Sequence, residues 1–263
     1  MKLPIYQIDA FAENPFEGNP AAVCPLEEWL PDEVLLSIAE ENNLSETAFF
    51  VATESGFHIR WFSPVTEVNL CGHATLATAY VLFHCLDYEQ DAINFESISG
   101  ILSVSKKDAF LSLDFPAQPP VSCEIPKEIV SALGVNPIEC LIADDYIVVL
   151  DCESEVLAVV PDFDMLKGLD LRAVVITSKS THYDFVSRCF VPKYGINEDP
   201  VTGSTHTELV PYWSEKLGKT KLHTRQVSKR GGELYCELSG DRVKISGKAV
   251  KYLQGEIEIS ELR

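Results

Sequence analysis

Four residues combine a reactive side chain with a place where the chain turns between strand and helix: Glu46, His73, Asp199 and Ser204. Glu46 stands in Asn43-Leu-Ser-Glu-Thr-Ala-Phe-Phe50, just before a strongly apolar run. Burial there would lift a carboxyl pKa toward the range useful for moving protons, although Ser45 and Glu46 also suit a plain polar loop. His73 falls in the first turn of a helix, where the positive end of the dipole disfavours imidazolium. The neutral ring could then orient a substrate, act as an electrophile or carry a second proton, or it could be a structural histidine. Asp199 belongs to Asn197-Glu-Asp-Pro-Val-Thr-Gly-Ser204. Asp-Pro is ordinary turn chemistry, yet this loop leads straight into a second helix and would place a carboxylate at its start. Gly72 and Gly203 each open such a helix, whose first amides lack intrahelical partners and could hold a carboxylate or an enolate-like anion. They equally suit tight turns, with Ser204 as a capping residue.

The elements that must position these residues can be read from periodicity. Strands are expected around residues 3–11, 47–52, 57–62, 93–98 and 100–115. Pro31-Asp-Glu opens a half-exposed helix with Val34, Leu35, Ile38 and Ala39 inward, ending at Asn42-Asn43. The segment His73–Phe83 is small or apolar on every side, as a helix enclosed by a sheet should be. Four prolines between Pro116 and Pro126 break both periods and read as a connection between domains. Arg60-Trp-Phe-Ser-Pro64 returns as Arg188-Cys-Phe-Val-Pro192, each followed by a glycine-started helix. The second of these is expected to run from Ser204 through Leu209, Tyr212, Trp213 and Leu217, with a kink at Pro211.

Bulk properties narrow the function. With 21 Lys+Arg against 40 Asp+Glu the chain carries −19, and no basic cluster offsets it, which disfavours nucleic acid or an anionic membrane as partner. No signal-like or membrane-spanning stretch is found, and the expected location is cytoplasmic. The eight cysteines show no CxxC or zinc-ligand spacing and fit reduced thiols.

The ordered set Asp9-Ala-Phe, Gly18-Asn-Pro-Ala-Ala-Val23, Ser45-Glu-Thr47, Arg60-Trp-Phe, Leu70-Cys-Gly-His-Ala-Thr75, Glu198–Ser204 and Gly247–Gly255 resembles the PhzF-like family of phenazine-biosynthesis-type isomerases, nearly end to end. The resemblance implies an α+β, diaminopimelate epimerase-like fold of two pseudo-symmetric domains, each a curved, mostly antiparallel sheet around a central helix. The domains would be 1–117 and 118–251, with the last strand, about 252–263, returning to the first. It further implies Glu46 as the acid/base carboxylate, with His73, Asp199 and Ser204 converging on it in the cleft, and a homodimer. Gly72, Ala74, Gly203 and Thr205 would contact a small carboxylated metabolite. No metal or organic cofactor is implied. Related epimerases use two opposed thiols. Cys71 matches only one, so a single carboxylate shuttling a proton within one substrate is favoured over an amino-acid racemase, and Cys71 is assigned to packing. A non-catalytic small-molecule binder on the same fold is the other alternative. Thr205, Thr207 and Glu208 depart from the family's usual wording after the serine, which puts the phenazine precursor itself in doubt as substrate.

Overall fold

The computed structural model describes residues 1–259. The chain divides into two compact units: Met1–Asp114 together with the chain from Ser246 onward, and Phe115–Ile245.

The first unit contains β1 (Lys2–Ala10), β2 (Asn19–Leu26), α1 (Asp32–Asn42), β3 (Glu46–Ala52), β4 (Phe57–Phe62), β5 (Glu67–Val68), α2 (Gly72–Cys85), β6 (Ala92–Ser97), β7 (Gly100–Lys107) and β8 (Phe110–Pro116). The chain's last strand, Ala249–Glu258, pairs with β1 along its length. That return begins at Ala249, earlier than the expected 252, and residues 260–263 of the expected strand lie outside the described residues. The sheet then runs through β2, β3, β4, β6, β7 and β8, antiparallel except for β2 with β3 and β4 with β6. Helix α2 packs against β1, β2, β3, β7 and the last strand. Enclosed this way, it buries Ala74, Leu76, Ala77, Ala79 and Val81 completely, which is why it has no polar face. Helix α1 instead lays Val34, Leu35, Ile38 and Ala39 on Cys24, Phe49 and Phe62.

Two features of this sheet depart from the periodicity. Strand β2 was not expected, because Pro20 and Pro25 interrupt it. Pro20 lies before the pairing with β3 begins at Ala21, and Pro25 lies beyond the last pair with β1 at Val23. Each proline therefore sits where the strand has one neighbour, and its missing N–H leaves no ladder bond broken. The single strand expected over 100–115 is a hairpin. Asp108 adopts φ 55°, a left-handed conformation that Asp tolerates, so the chain reverses between Lys107 and Phe110 without disturbing the alternation.

The second unit contains β9 (Val121–Ser122), α3 (Lys127–Leu133), β10 (Glu139–Ile142), β11 (Tyr146–Val149), α4 (Glu153–Ala158), α5 (Phe163–Lys167), β12 (Val174–Lys179), β13 (Phe185–Val191), β14 (Ile196–Asp199), α6 (His206–Leu217), β15 (Lys221–Gln226), β16 (Gly232–Ser239) and β17 (Arg242–Gly247). Its pairings repeat those of the first: β11 and β12 are parallel, β12 and β13 antiparallel, and β13 is parallel to β15, which hairpins with β16. Helix α6 packs on β15 and β16, with Trp213 stacked on Phe185 at 5.6 Å and donating to Thr177 Oγ1. It begins at His206 rather than Ser204, because residues 203–205 form tight turns closed by His206 N–H to Gly203 O and Thr207 N–H to Ser204 O. Pro211 cannot donate to the Thr207 carbonyl four residues back; the Gln118 N–H takes that place at 2.9 Å.

The five-residue echo marks a repeat that extends to individual contacts. Arg60 forks onto Glu67 with both bonds at 2.7 Å, and Arg188 forks onto Glu198 at 2.8 and 3.0 Å. Each guanidinium also lies over the phenylalanine two residues on, Phe62 or Phe190. Register fixes the correspondence. Phe62 pairs with Glu67 and Trp61 with Val68; Phe190 pairs with Glu198 and Cys189 with Asp199. Counting onward from Val68 and Asp199 matches Cys71 with Thr202, Gly72 with Gly203, and His73 with Ser204.

Candidate active site

In the first unit, β3 delivers Glu46 and α2 delivers His73. The strand's pairing to β2 and β4 holds Glu46 at its first residue, and the turn at Gly72 places His73 at the start of the helix. His73 Nε2 lies 3.3 Å from Glu46 Oε2, the two side chains being 7% and 17% exposed, so the carboxylate is reachable while the ring is not. Asn19, fully buried on β2, sets its Nδ2 3.2 Å from His73 Nδ1. An amide nitrogen only donates, so Nδ1 accepts and the ring proton sits on Nε2, facing Glu46. Burial drives the imidazole pKa down to about 3, and the ring is neutral at physiological pH. The cause is lost hydration; the helix-dipole argument gave the same direction.

Cys71 Sγ lies 3.5 Å from the same Nδ1. Glu46, Cys71 and His73 are close enough to suggest a metal site, with ligand atoms within 4.8 Å of one another. The thiol and the carboxylate, however, face different nitrogens of one ring, and a single ion could take only one of those nitrogens. The register counterpart of Cys71 is Thr202, so the second unit offers no thiol at the matching place.

In the second unit Asp199 ends β14. Its Oδ2 accepts from Thr202 Oγ1 at 2.5 Å, and its carbonyl accepts from Gln226 Nε2 at 2.7 Å. Gln226 is fully buried and also accepts from the Thr202 N–H at 2.9 Å, so one side chain braces the whole Asp199–Thr202 turn. Thr205 is fully buried with its hydroxyl bonded to the Thr202 carbonyl, and Ala74 is fully buried in α2. Any contact these two make with substrate is through backbone. Ser204, half-buried, accepts a hydrogen bond from Arg172 Nη1 at 3.0 Å. Arg172 is forked onto the buried Asp145, and Glu208, four residues after Ser204 on α6, is buried beside this pair. Burial first, then the Asp145 carboxylate, push the Glu208 carboxyl up to about 8 against the pull of Arg172. One guanidinium neutralises one of the two carboxyls, and the other keeps its proton.

Glu46 and His73 are thus brought together in the first unit, and Asp199 and Ser204 share one loop of the second. Asn19, Gln226, Asp145 and Arg172 were not among the expected site residues. Asn19 stood inside a quoted motif without a role; nothing local to the other three marks them, because their partners lie 24 to 32 residues away.

A duplicated strand–glycine–helix turn, with a carboxylate beside a neutral imidazole in one copy, is set in an epimerase-like fold. The phenazine biosynthesis-like protein family model matches residues 8–255. An uncharacterized isomerase of Pseudomonas aeruginosa is 53% identical over 98% of this chain and 100% of its own. The human phenazine biosynthesis-like domain-containing protein is 40% identical over 98% and 99%. A PhzF-family crystal structure from Enterococcus faecalis superposes with a TM-score of 0.96 at 48% identity, covering 98% of this chain and 100% of that one. A probable proline racemase from Agrobacterium radiobacter, 11% identical with a TM-score of 0.62 over 98% and 93%, shares the fold. The chain belongs to the PhzF, phenazine biosynthesis-like family and is an enzyme of the isomerase class. Among the described residues no helix is long and apolar enough to cross a membrane.

Proposed function

We propose that this isomerase shifts a proton within a small carboxylated substrate by acid/base catalysis through Glu46, without a cofactor. The contact of Glu46 with the Nε2–H side of a neutral His73 is the observation that supports this most directly. Ionised Glu46 takes a proton from an acidic carbon and leaves a delocalised carbanion. The same carboxyl, after exchanging with solvent, then delivers a proton to another carbon of the conjugated system, so the carboxylate is restored and nothing is oxidised or reduced. His73, locked in one tautomer by Asn19, aims the carboxylate while staying uncharged. In this reading Asp199, Ser204 and the backbone at Gly72, Ala74, Gly203 and Thr205 bind polar groups of the substrate. One mobile carboxylate, with threonine at the counterpart of Cys71, supports a shift within a substrate over two-thiol racemisation.

The test is label transfer. Incubated with a metabolite extract in deuterated water, the wild-type protein should place deuterium in one small carboxylate, and Glu46→Gln should abolish this while binding persists. Full labelling by Glu46→Gln would sink the role, and binding without label by the wild type would identify a non-catalytic binder. Unchanged turnover after Cys71→Ser is expected; its loss would revive thiol chemistry.

A further inference from the structure

We infer that Arg172 is a positioning residue that makes the Ser204 hydroxyl a committed hydrogen-bond donor toward the substrate. The inference rests on the reading of Ser204 as a substrate-binding residue and names what orients it.

A serine hydroxyl can donate or accept, and which it does depends on its neighbours. Arg172 Nη1 donates to Ser204 Oγ at 3.0 Å, and a guanidinium can only donate. The hydroxyl proton must therefore point elsewhere, and among the described residues no protein acceptor takes it. Asp145 is committed to the guanidinium, its Oδ1 and Oδ2 accepting from Arg172 Nε at 2.9 Å and Nη2 at 2.5 Å. Asp145 is fully buried and fixes the plane of the guanidinium, so Nη1 reaches Ser204 from one direction. Ser204 itself is half-buried, leaving its free proton accessible to a ligand.

The internal repeat supports a functional reading of this contact. Thr47 pairs with Phe62 as Val174 pairs with Phe190, which matches Glu46 with Ala173 and leaves Arg172 one residue before it. In each unit, then, a charged residue at or just before the start of the equivalent strand reaches the residue just after the equivalent glycine. Glu46 meets His73 in one copy, and Arg172 meets Ser204 in the other. The first pair is built to accept a proton. The second is built to offer a hydrogen bond.

The test is a double-mutant cycle on kcat/KM for the metabolite that the wild type labels from deuterated water. Losing one donor to a charged group lowers kcat/KM about 10- to 100-fold, the expected effect of Ser204→Ala. Arg172→Lys keeps the charge but cannot hold both Asp145 oxygens and Ser204 together, and should fall within about 3-fold of that loss. In the Ser204→Ala background Arg172→Lys should do nothing further, because its target is gone. Multiplying losses in the double variant would make Arg172 structural and overturn the inference, as would wild-type kcat/KM in Arg172→Lys. Near-UV circular dichroism checks folding; if Arg172→Lys fails it, Asp145→Asn releases the same guanidinium and takes its place in the cycle. Wild-type kcat/KM in Ser204→Ala overturns this inference and leaves the Glu46 result standing. Labelling that survives Glu46→Gln sinks the base and leaves the cycle readable. No label with the wild type overturns both.

Discussion

Glu208 provides a quantitative test of the buried cluster in the second unit. The folded protein holds this carboxyl's proton up to about pH 8, whereas an ordinary glutamate gives it up near 4.5. Between those values the folded chain carries a proton that the unfolded chain has lost, so stability must fall as pH rises and level off above about 8. The contribution is fully present below 4.5. At about 1.4 kcal/mol per pH unit the whole window amounts to roughly 5 kcal/mol at most, and a few kcal/mol once Arg172 and local relaxation share the charge. Glu208→Gln copies the shape of the protonated acid and cannot ionise. Its urea-unfolding free energy, measured from pH 5 to 9, should lack the downward slope, match the wild type near pH 5 and exceed it near pH 9. Parallel profiles for the two proteins across that range would refute the claim that burial, with the Asp145 carboxylate beside it, keeps Glu208 neutral.

Further measurements bear on other parts of the structure. His73 and His206 are held neutral by burial, with pKa values down to about 3 and about 4, so the stability they permit is present above pH 6.5 and lost as pH falls through that window. His206→Thr, which installs the hydroxyl that Thr75 uses at the matching place, should give a shallower acid limb, and an unchanged limb would argue against it. Arg60→Met and Arg188→Met should each cost about 1–3 kcal/mol in urea unfolding by stranding Glu67 or Glu198. Arg188→Met should cost about 1 kcal/mol more, because Arg188 Nη1 serves the carbonyls of Val156 and Val159, whereas Arg60 Nη1 serves the exposed carboxylate of Asp32, which water can take over; equal costs would contradict this. Gln226→Ala orphans the buried Thr202 N–H and should lose about 1–3 kcal/mol as well as most label transfer, with Asp199 no longer braced. A light-scattering mass of twice the chain would bear out the homodimer that the family resemblance implies.

What the sequence determined by itself is local or repetitive. The two Arg-x-Phe strands, the glycines before each helix and the all-apolar stretch after His73 are written in short windows, and each specifies its element whatever lies around it. The residue types at Glu46, His73, Asp199 and Ser204 are legible for the same reason, since they stand at the ends of those elements. Tertiary structure decided what these side chains are. The tautomer of His73 depends on Asn19, 54 residues away, which no window joins to it. Strand β2 was hidden by prolines that only the pairing of two different neighbours makes harmless. Glu208, read from the sequence only as a departure from the family's wording, keeps its proton because it is buried and because the neighbouring Asp145 carboxylate holds Arg172. Protonation and tautomer are set by distance, burial and competition for partners in space, and those quantities exist only once distant segments of the chain have met.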